Sequence, residues 1–155
     1  MEIVNATSIG KILSDAKERA VVNNLKYAGV LTPQEAYQLL QHYPNTRLVD
    51  VRSLAELELV GSVPMATAIE WAFYPGMVAN PDFAMQLNAQ MDKQALVIFM
   101  CRTGGRSHHA ALLAQQLGFN HAYNMMEGFE GEANAAKQRT LINGWKHAGL
   151  PWTNA

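Results

Sequence analysis

The stretch "ALVIFMCRTGGRSHHAALLAQQLGF", residues 95–119, decides how this chain folds. Residues 95–100 form an uninterrupted apolar run, the pattern of a strand buried on both faces. Gly104 and Gly105 then break the run. From 106 to 117, Ala110, Leu113, Ala114 and Leu117 recur at helical spacing and give one apolar face. Buried strand, tight turn and amphipathic helix in succession make a unit of a parallel α/β sheet. The turn also holds Cys101, the only cysteine in the chain.

Working outward, the same alternation continues. "TRLVDV", residues 46–51, is a short run rich in β-branched residues, and "ATAIEW", residues 66–71, reads as a second strand. "HAYNM", residues 121–125, is a third short strand. Helices fall between them. In "LTPQEAYQLL", Thr32 can cap, Pro33 suits the first helical position and Glu35 completes a capping box. Ser53 and Glu56 repeat that arrangement in "SLAELELV", and Asn80 with Pro81 open a helix in "NPDFAMQLNAQM". Ile9, Ile12, Leu13, Ala16 and Ala20 place a further helix over about residues 8–24. Residues 127–142 read as a long loop with some helical content. "NGWKHAGLPW" reads as a last short helix, ended by Gly149 and Pro151. The expected fold is α/β, a central and mostly parallel sheet flanked by helices, with an extra N-terminal helix. Residues 1–30 are expected as a helical extension and 31–153 as the main domain.

A chain of 155 residues is long enough to bury its own core as one domain. It is 49% hydrophobic and 16% charged, with net charge −1, which gives no bulk attraction to nucleic acid or acidic membrane. No apolar run approaches the roughly 20 residues needed to span a bilayer. The first residues lack the basic start, apolar block and small-residue cleavage site of a signal peptide. A cytoplasmic location is expected, and a lone cysteine, unable to form an internal disulfide, agrees with a reducing compartment. The five histidines lack the short spacings of a zinc site. His108 and His109 are adjacent, about 100° apart around a helix, and read as surface or packing residues. Neither metal nor cofactor is expected.

The chemistry concentrates at Cys101. If 95–100 is a strand, the thiol sits at its carboxyl end, where open parallel sheets bind ligands. Gly104 and Gly105 permit a sharp turn with backbone N–H groups pointing inward. The helix that follows adds its positive dipole end, and Arg102 and Arg106 add two formal charges. Each feature favours thiolate, and cysteines in such surroundings titrate at roughly 3.5–7.5. The loop is an activated sulfur nucleophile in a cradle shaped for an anion. A buried, inert cysteine is the alternative, but an apolar core position does not attract paired guanidinium groups.

"VDVRSLAELELVGSVPMA", "VIFMCRTGGRSHHAALLAQQLGF" and "NGWKHAGLPW" together resemble the rhodanese family of single-domain sulfurtransferases, from about Leu31 to Trp152. The resemblance implies a rhodanese-like fold. It also implies that Cys101 takes up a sulfane sulfur, becomes a persulfide, and passes the sulfur to a nucleophilic acceptor. Arg102, Thr103, Gly104, Gly105, Arg106 and Ser107 would bind substrate. Two departures stand out. Gly61 to Ala66 differs from the usual family pattern, with an effect expected on packing and not on chemistry. The stretch 128–144 is longer than the usual link; it either walls the pocket or is a surface excursion.

Other residues have humbler expected roles. Arg52 and Glu56, four apart, are expected to form a structural ion pair. Asp50, at a strand's carboxyl end, is a candidate for orienting the cysteine loop through an arginine or a backbone N–H. Ser107 is expected to cap the helix or bond within the loop.

Cysteine-dependent phosphatases are the rival reading, but they place five residues between Cys and Arg, against four here, Arg102 to Gly105. The shorter loop suits one terminal sulfur atom better than a tetrahedral phosphate. Two loop arginines fit a dianionic donor such as thiosulfate. With no second cysteine, the sulfur must pass to an outside acceptor, a small thiol or a protein cysteine. A sulfur carrier or thiol-based sensor of low turnover stays open, as does a homodimer.

Overall fold

The computed structural model describes residues 6–154; the first five residues of the expected extension lie outside them. Helix α1 (Ala6–Val22) leads into strand β1 (Gly29–Leu31), helix α2 (Pro33–His42) and strand β2 (Thr46–Asp50). Helix α3 (Leu54–Val60), strand β3 (Ala66–Ala68) and a hairpin of β4 (Ala72–Phe73) and β5 (Val78–Ala79) follow. Helix α4 (Phe83–Gln90), strand β6 (Leu96–Met100), helix α5 (Gly105–Gln116) and strand β7 (Ala122–Met125) complete the set. Five strands form one sheet in the order β1-β7-β6-β2-β3. Every pairing in it is parallel, with Asp50 opposite Met100 and Val97 opposite Ala122.

The apolar run that opened the sequence reading is the middle strand of this sheet, and all five of its residues are buried. Strand alternation divides it between two layers. Val97 and Phe99 pack with Phe83, Leu87, Ala110 and Ala114 of α4 and α5, and Cys101 continues this face. Leu96, Ile98 and Met100 pack with Ile9, Ala16, Ala36 and Leu39 of α1 and α2, and with Phe129 and Trp145. The thiol therefore enters the site from the α5 side of the sheet.

Both expected capping boxes form, Thr32 with Glu35 and Ser53 with Glu56. Helix α4 begins later than Asn80–Pro81 indicated. Asn80 spends its Oδ1 on the Asp82 N–H at 3.0 Å, forming a turn that delays the helix to Phe83.

Three short strands escaped the sequence pattern: β1, β4 and β5 are too brief to show alternation. β1 matters most, because it builds residues 29–31 into the sheet edge beside β7. Helix α1 lies directly on it; a Cβ on Gly29 would fall 2.9 Å from the Ala16 backbone. Arg19 then ties α1 to α2 through Glu35, at 2.6 and 3.1 Å, and to the Val30 carbonyl at 2.9 Å.

Two helical expectations give way to turns. Residues 127–142 hold no helix, and Asn134 organises part of the stretch by accepting from the Ala136 and Gln138 N–H groups. "NGWKHAGLPW" also forms turns, with Gly144 and Gly149 at positive φ. Its anchor is Trp145, fully buried, whose indole N–H donates to the Pro151 carbonyl at 2.8 Å.

Candidate active site

Cys101 follows the last residue of β6, and the chain that returns over it fixes the loop from outside. The Phe129 N–H donates to the Cys101 carbonyl at 2.8 Å, and the Glu130 N–H to the Arg102 carbonyl at 3.0 Å. Only glycine fits at 128: φ is +70°, and a Cβ would lie 2.5 Å from the Arg102 carbonyl. The long 128–144 segment thus starts as one wall of the loop.

Inside the loop, Gly104 is left-handed at φ +112° and starts α5. That turn aims its N–H at the Cys101 Sγ, 3.1 Å away. The thiol is 1% exposed. Gly105 has open space where a Cβ would sit, so the surrounding fold does not demand glycine there. Thr103 is exposed at the loop's tip.

Arg102 and Arg106, expected as substrate-binding cations, both line the pocket beside the thiol, and each is paired with a carboxylate. Arg106 forms a double-pronged pair with Glu56, at 2.7 and 2.9 Å. Arg102 lies 3.2 Å from Glu130. Burial alone would raise Glu56, but the bonds from Arg106 outweigh it and hold the carboxyl below its ordinary range. Glu56 correspondingly raises Arg106, and the Cys101 sulfur adds a smaller push the same way. The expected Arg52–Glu56 pair does not form, because α3 swings Glu56 across the site to a partner fifty residues away. A cavity of about 380 Å³ opens here, lined by Glu56, Val60, Tyr74, Met77, Arg102, Arg106 and Glu130. A larger hollow of about 450 Å³ lies at the opposite, amino end of the strands, around Tyr43, His121 and Tyr123, remote from the thiol.

Asp50 does engage an arginine, but not one in the loop. It binds the fully buried Arg52, whose Nε and Nη2 reach its oxygens at 2.7–3.2 Å. The Arg52 Nη2 also donates to the Gly61 carbonyl at 3.0 Å. The Arg52 guanidinium lies 4.1 Å over the Phe129 ring. The hydrogen bonds of Asp50 thus reach toward the cysteine loop through Arg52 and Phe129, while its charge adds a small push to Arg106.

Behind the thiol, Ser107, expected to bond within the loop, meets partners that the sequence did not reveal, Asn124 and Tyr27. Ser107 on α5 is fully buried, with its Oγ 3.3 Å from the Cys101 Sγ and 2.6 Å from the Asn124 Oδ1 on β7. The Asn124 amide donates to the Gly104 carbonyl at 3.3 Å and also bonds to Tyr27. The Tyr27 hydroxyl meets the His108 Nδ1 at 2.7 Å. Burial, with His109 adding a smaller effect, lowers His108 below the usual histidine range. One signal was available: Asn124 is an amide in an otherwise buried strand, and such groups need partners. Nothing in the sequence marked Tyr27. Among the described residues, no three His, Cys, Asp or Glu side chains converge as a metal site would require.

A parallel sheet with the thiol at the carboxyl end of its middle strand, cradled by the turn into the next helix, is a rhodanese-like architecture. The chain belongs to the rhodanese-like domain family, whose model matches residues 32–135. Within that family it is 36% identical over 120 residues to an uncharacterized protein of Rickettsia conorii, spanning 76% of this chain and 91% of that protein. The crystal structure of Rv0390 from M. tuberculosis superposes with TM-score 0.78 at 37% identity, covering 84% of this chain and all of that one. A polysulfide-sulfur transferase homodimer from Wolinella succinogenes shares the fold, with TM-score 0.57 at 22% identity over 96% of this chain and 86% of its own. Among the described residues, no helix is long and apolar enough to cross a membrane.

Proposed function

We propose that this protein is a sulfurtransferase, moving a sulfane sulfur from thiosulfate or a similar donor to a thiophilic acceptor through a persulfide on Cys101. The observation that carries the reading is the Gly104 N–H held 3.1 Å from the Sγ at the start of α5. A fixed donor there stabilises negative charge on sulfur without reorganising during the reaction.

The chemistry takes two displacements. The Cys101 thiolate attacks the outer sulfur of thiosulfate; a new S–S bond forms, the old one breaks, and sulfite leaves with the electron pair. An acceptor thiolate then attacks the outer sulfur of the persulfide, and Cys101 leaves as thiolate. The single cysteine makes the acceptor external: a small thiol, a cysteine of another protein, or cyanide in an assay. Arg102, half exposed at the mouth, would meet the donor on letting go of Glu130. A reducing, cytoplasmic setting suits such thiol acceptors.

A sulfur carrier or thiol sensor of low turnover is the second reading. The burial of Cys101 and the engagement of both arginines by carboxylates favour it. The same assay separates the two. Incubation with thiosulfate should raise the intact mass by one sulfur atom, and cyanide should restore it with release of thiocyanate. Cys101→Ser should abolish both events while leaving the fold intact. A carrier would load but release slowly. Thiocyanate formation near the native rate by Cys101→Ser would overturn the proposal. So would a native protein that hydrolyses aryl phosphates well but takes no sulfur.

A further inference from the structure

The hydrogen-bonded chain behind Cys101 has a direction, and that direction bears on the thiol. Ser107 has one hydroxyl proton and two neighbours able to accept it: the Asn124 Oδ1 at 2.6 Å and the Cys101 Sγ at 3.3 Å. The amide cannot turn freely to change this. Its nitrogen donates to the Gly104 carbonyl. It also donates to the Tyr27 hydroxyl, since the bond favours the phenolate form of Tyr27. The Tyr27 hydroxyl lies 2.7 Å from the His108 Nδ1 and donates to it whenever His108 is neutral with its proton on Nε2. Every donor then has one acceptor only if Ser107 donates to Asn124 and the Cys101 S–H donates to Ser107. When Cys101 ionises, Ser107 must turn to the sulfur and leave the Asn124 oxygen without that donor.

We propose that Asn124, steadied by Tyr27, is a positioning residue that withholds the Ser107 proton from Cys101 and so sets how readily the thiol becomes thiolate. Tyr27 lies outside the family-matched residues 32–135. It comes from the segment joining α1 to β1, so the N-terminal extension acts on the site from behind. The proposal deepens the sulfur-transfer reading and rests on it only for the effect on turnover. The thiol's ionisation is measured with no sulfur donor present.

The charged and titratable groups on the elements packed around this loop are Arg106 with Glu56, Arg102 with Glu130, the Asp50–Arg52 pair, and His108 beside His109. All of them stay unchanged in the variants that test the proposal. The measurement is the pH profile of Cys101 alkylation by iodoacetamide, followed by intact mass. Its midpoint reports ionisation, whereas a change in access alters only the plateau. Asn124→Leu leaves the Ser107 proton no acceptor but the sulfur. The midpoint should fall by roughly half to one pH unit, as expected for one hydrogen bond gained. Asn124→Asp holds that proton harder and opposes the thiolate with its own charge, so the midpoint should rise. Tyr27→Phe, the most conservative change, should move it down by a smaller amount. In a Ser107→Ala background, Asn124→Leu should lose its effect.

Midpoints that move the same way in Asn124→Leu and Asn124→Asp, or that stay put in folded Tyr27→Phe, would overturn the proposal. If Asn124→Leu fails to fold, the opposite shifts of Asn124→Asp and Tyr27→Phe still decide it. A shifted midpoint without sulfur loading would leave this inference standing and remove the sulfur-transfer reading instead.

Discussion

The front and back of Cys101 are built from opposite kinds of interaction. In front, toward the mouth, four formal charges cancel in two pairs, Arg106 with Glu56 and Arg102 with Glu130. Behind, Ser107, Asn124 and Tyr27 carry no formal charge, and all are buried. At the front, water and salt screen the charges, so a substrate can compete for a paired arginine. At the back, water is excluded, and what counts is which atom owns each proton. In the proposed chemistry, then, the front governs what reaches the sulfur and the back governs the sulfur's own state.

Joining the two sides is the loop, and lengthening it should have the largest effect. One extra Gly between Gly104 and Gly105 would pull the Gly104 N–H from the sulfur. It would also shift the first turn of α5, which carries both Arg106 and Ser107. A misplacement of about 1 Å can cost on the order of 100-fold in rate, and sulfur transfer should fall by that order. An aryl phosphate should become a weak substrate, because the thiolate and Arg106 remain and the cradle is wider. Thiosulfate turnover and aryl-phosphate hydrolysis, compared between native and inserted proteins, make the check. Full sulfur transfer in the inserted protein would end the loop-length argument.

Next in size is Arg106→Ala, which breaks the front alone. Losing charged hydrogen bonds of this kind costs roughly 1.5–3 kcal/mol, since Glu56 is left largely buried without its cation. The sign of the pH dependence follows from Glu56, which is held below its ordinary range. A carboxyl depressed in the folded state adds stability above its unfolded value, about 4.3. That stability is lost as pH falls through the folded value. Urea unfolding should therefore show the native protein well ahead of Arg106→Ala at pH 7. The gap should close in acid, once Glu56 is protonated in both. A gap that stays constant down to the acid limit would mean the pair adds nothing.

The front and back also differ in how much of them the sequence disclosed. The middle strand, the loop and α5 were legible because burial on both faces and helical spacing leave local patterns. Cys101 was singled out by its place after the strand, by the glycines and arginines that follow it, and by the family resemblance. What the arginines touch was not legible, because Glu56 and Glu130 come from distant segments, and i,i+4 spacing favoured the wrong partner, Arg52. At the back, Ser107 was marked as bonding within the loop, but its partners were hidden. Tyr27, Asn124 and His108 meet only because β1 pairs with β7, and β1 is three residues long. The last turns hid for another reason: Trp145 and two positive-φ glycines override a sequence that reads locally as helix.

The smallest expected effect concerns the weaker pair at the front. The Arg102 side chain is 47% exposed, against 12% for Glu130. An exposed pair of this kind contributes at most about 1 kcal/mol, so Arg102→Ala should barely change stability. Its effect on a dianionic donor is reduced too, because thiosulfate must first displace Glu130. The loss in kcat/KM should be about tenfold, the low end for a charge-assisted hydrogen bond. Glu130→Gln separates the two contributions. It leaves Arg102 unpaired and keeps the backbone bond from residue 130 to the Arg102 carbonyl. Thiosulfate kcat/KM should then rise several-fold, and the gain should shrink with added salt, as exposed charges require. In an Arg102→Ala background the same change should do much less, because no guanidinium remains to be freed. A fall in thiosulfate use with Glu130→Gln would show that the carboxylate holds Arg102 in its working position. The front would then resemble the back, with both sides positioning groups around the sulfur and neither competing with the substrate.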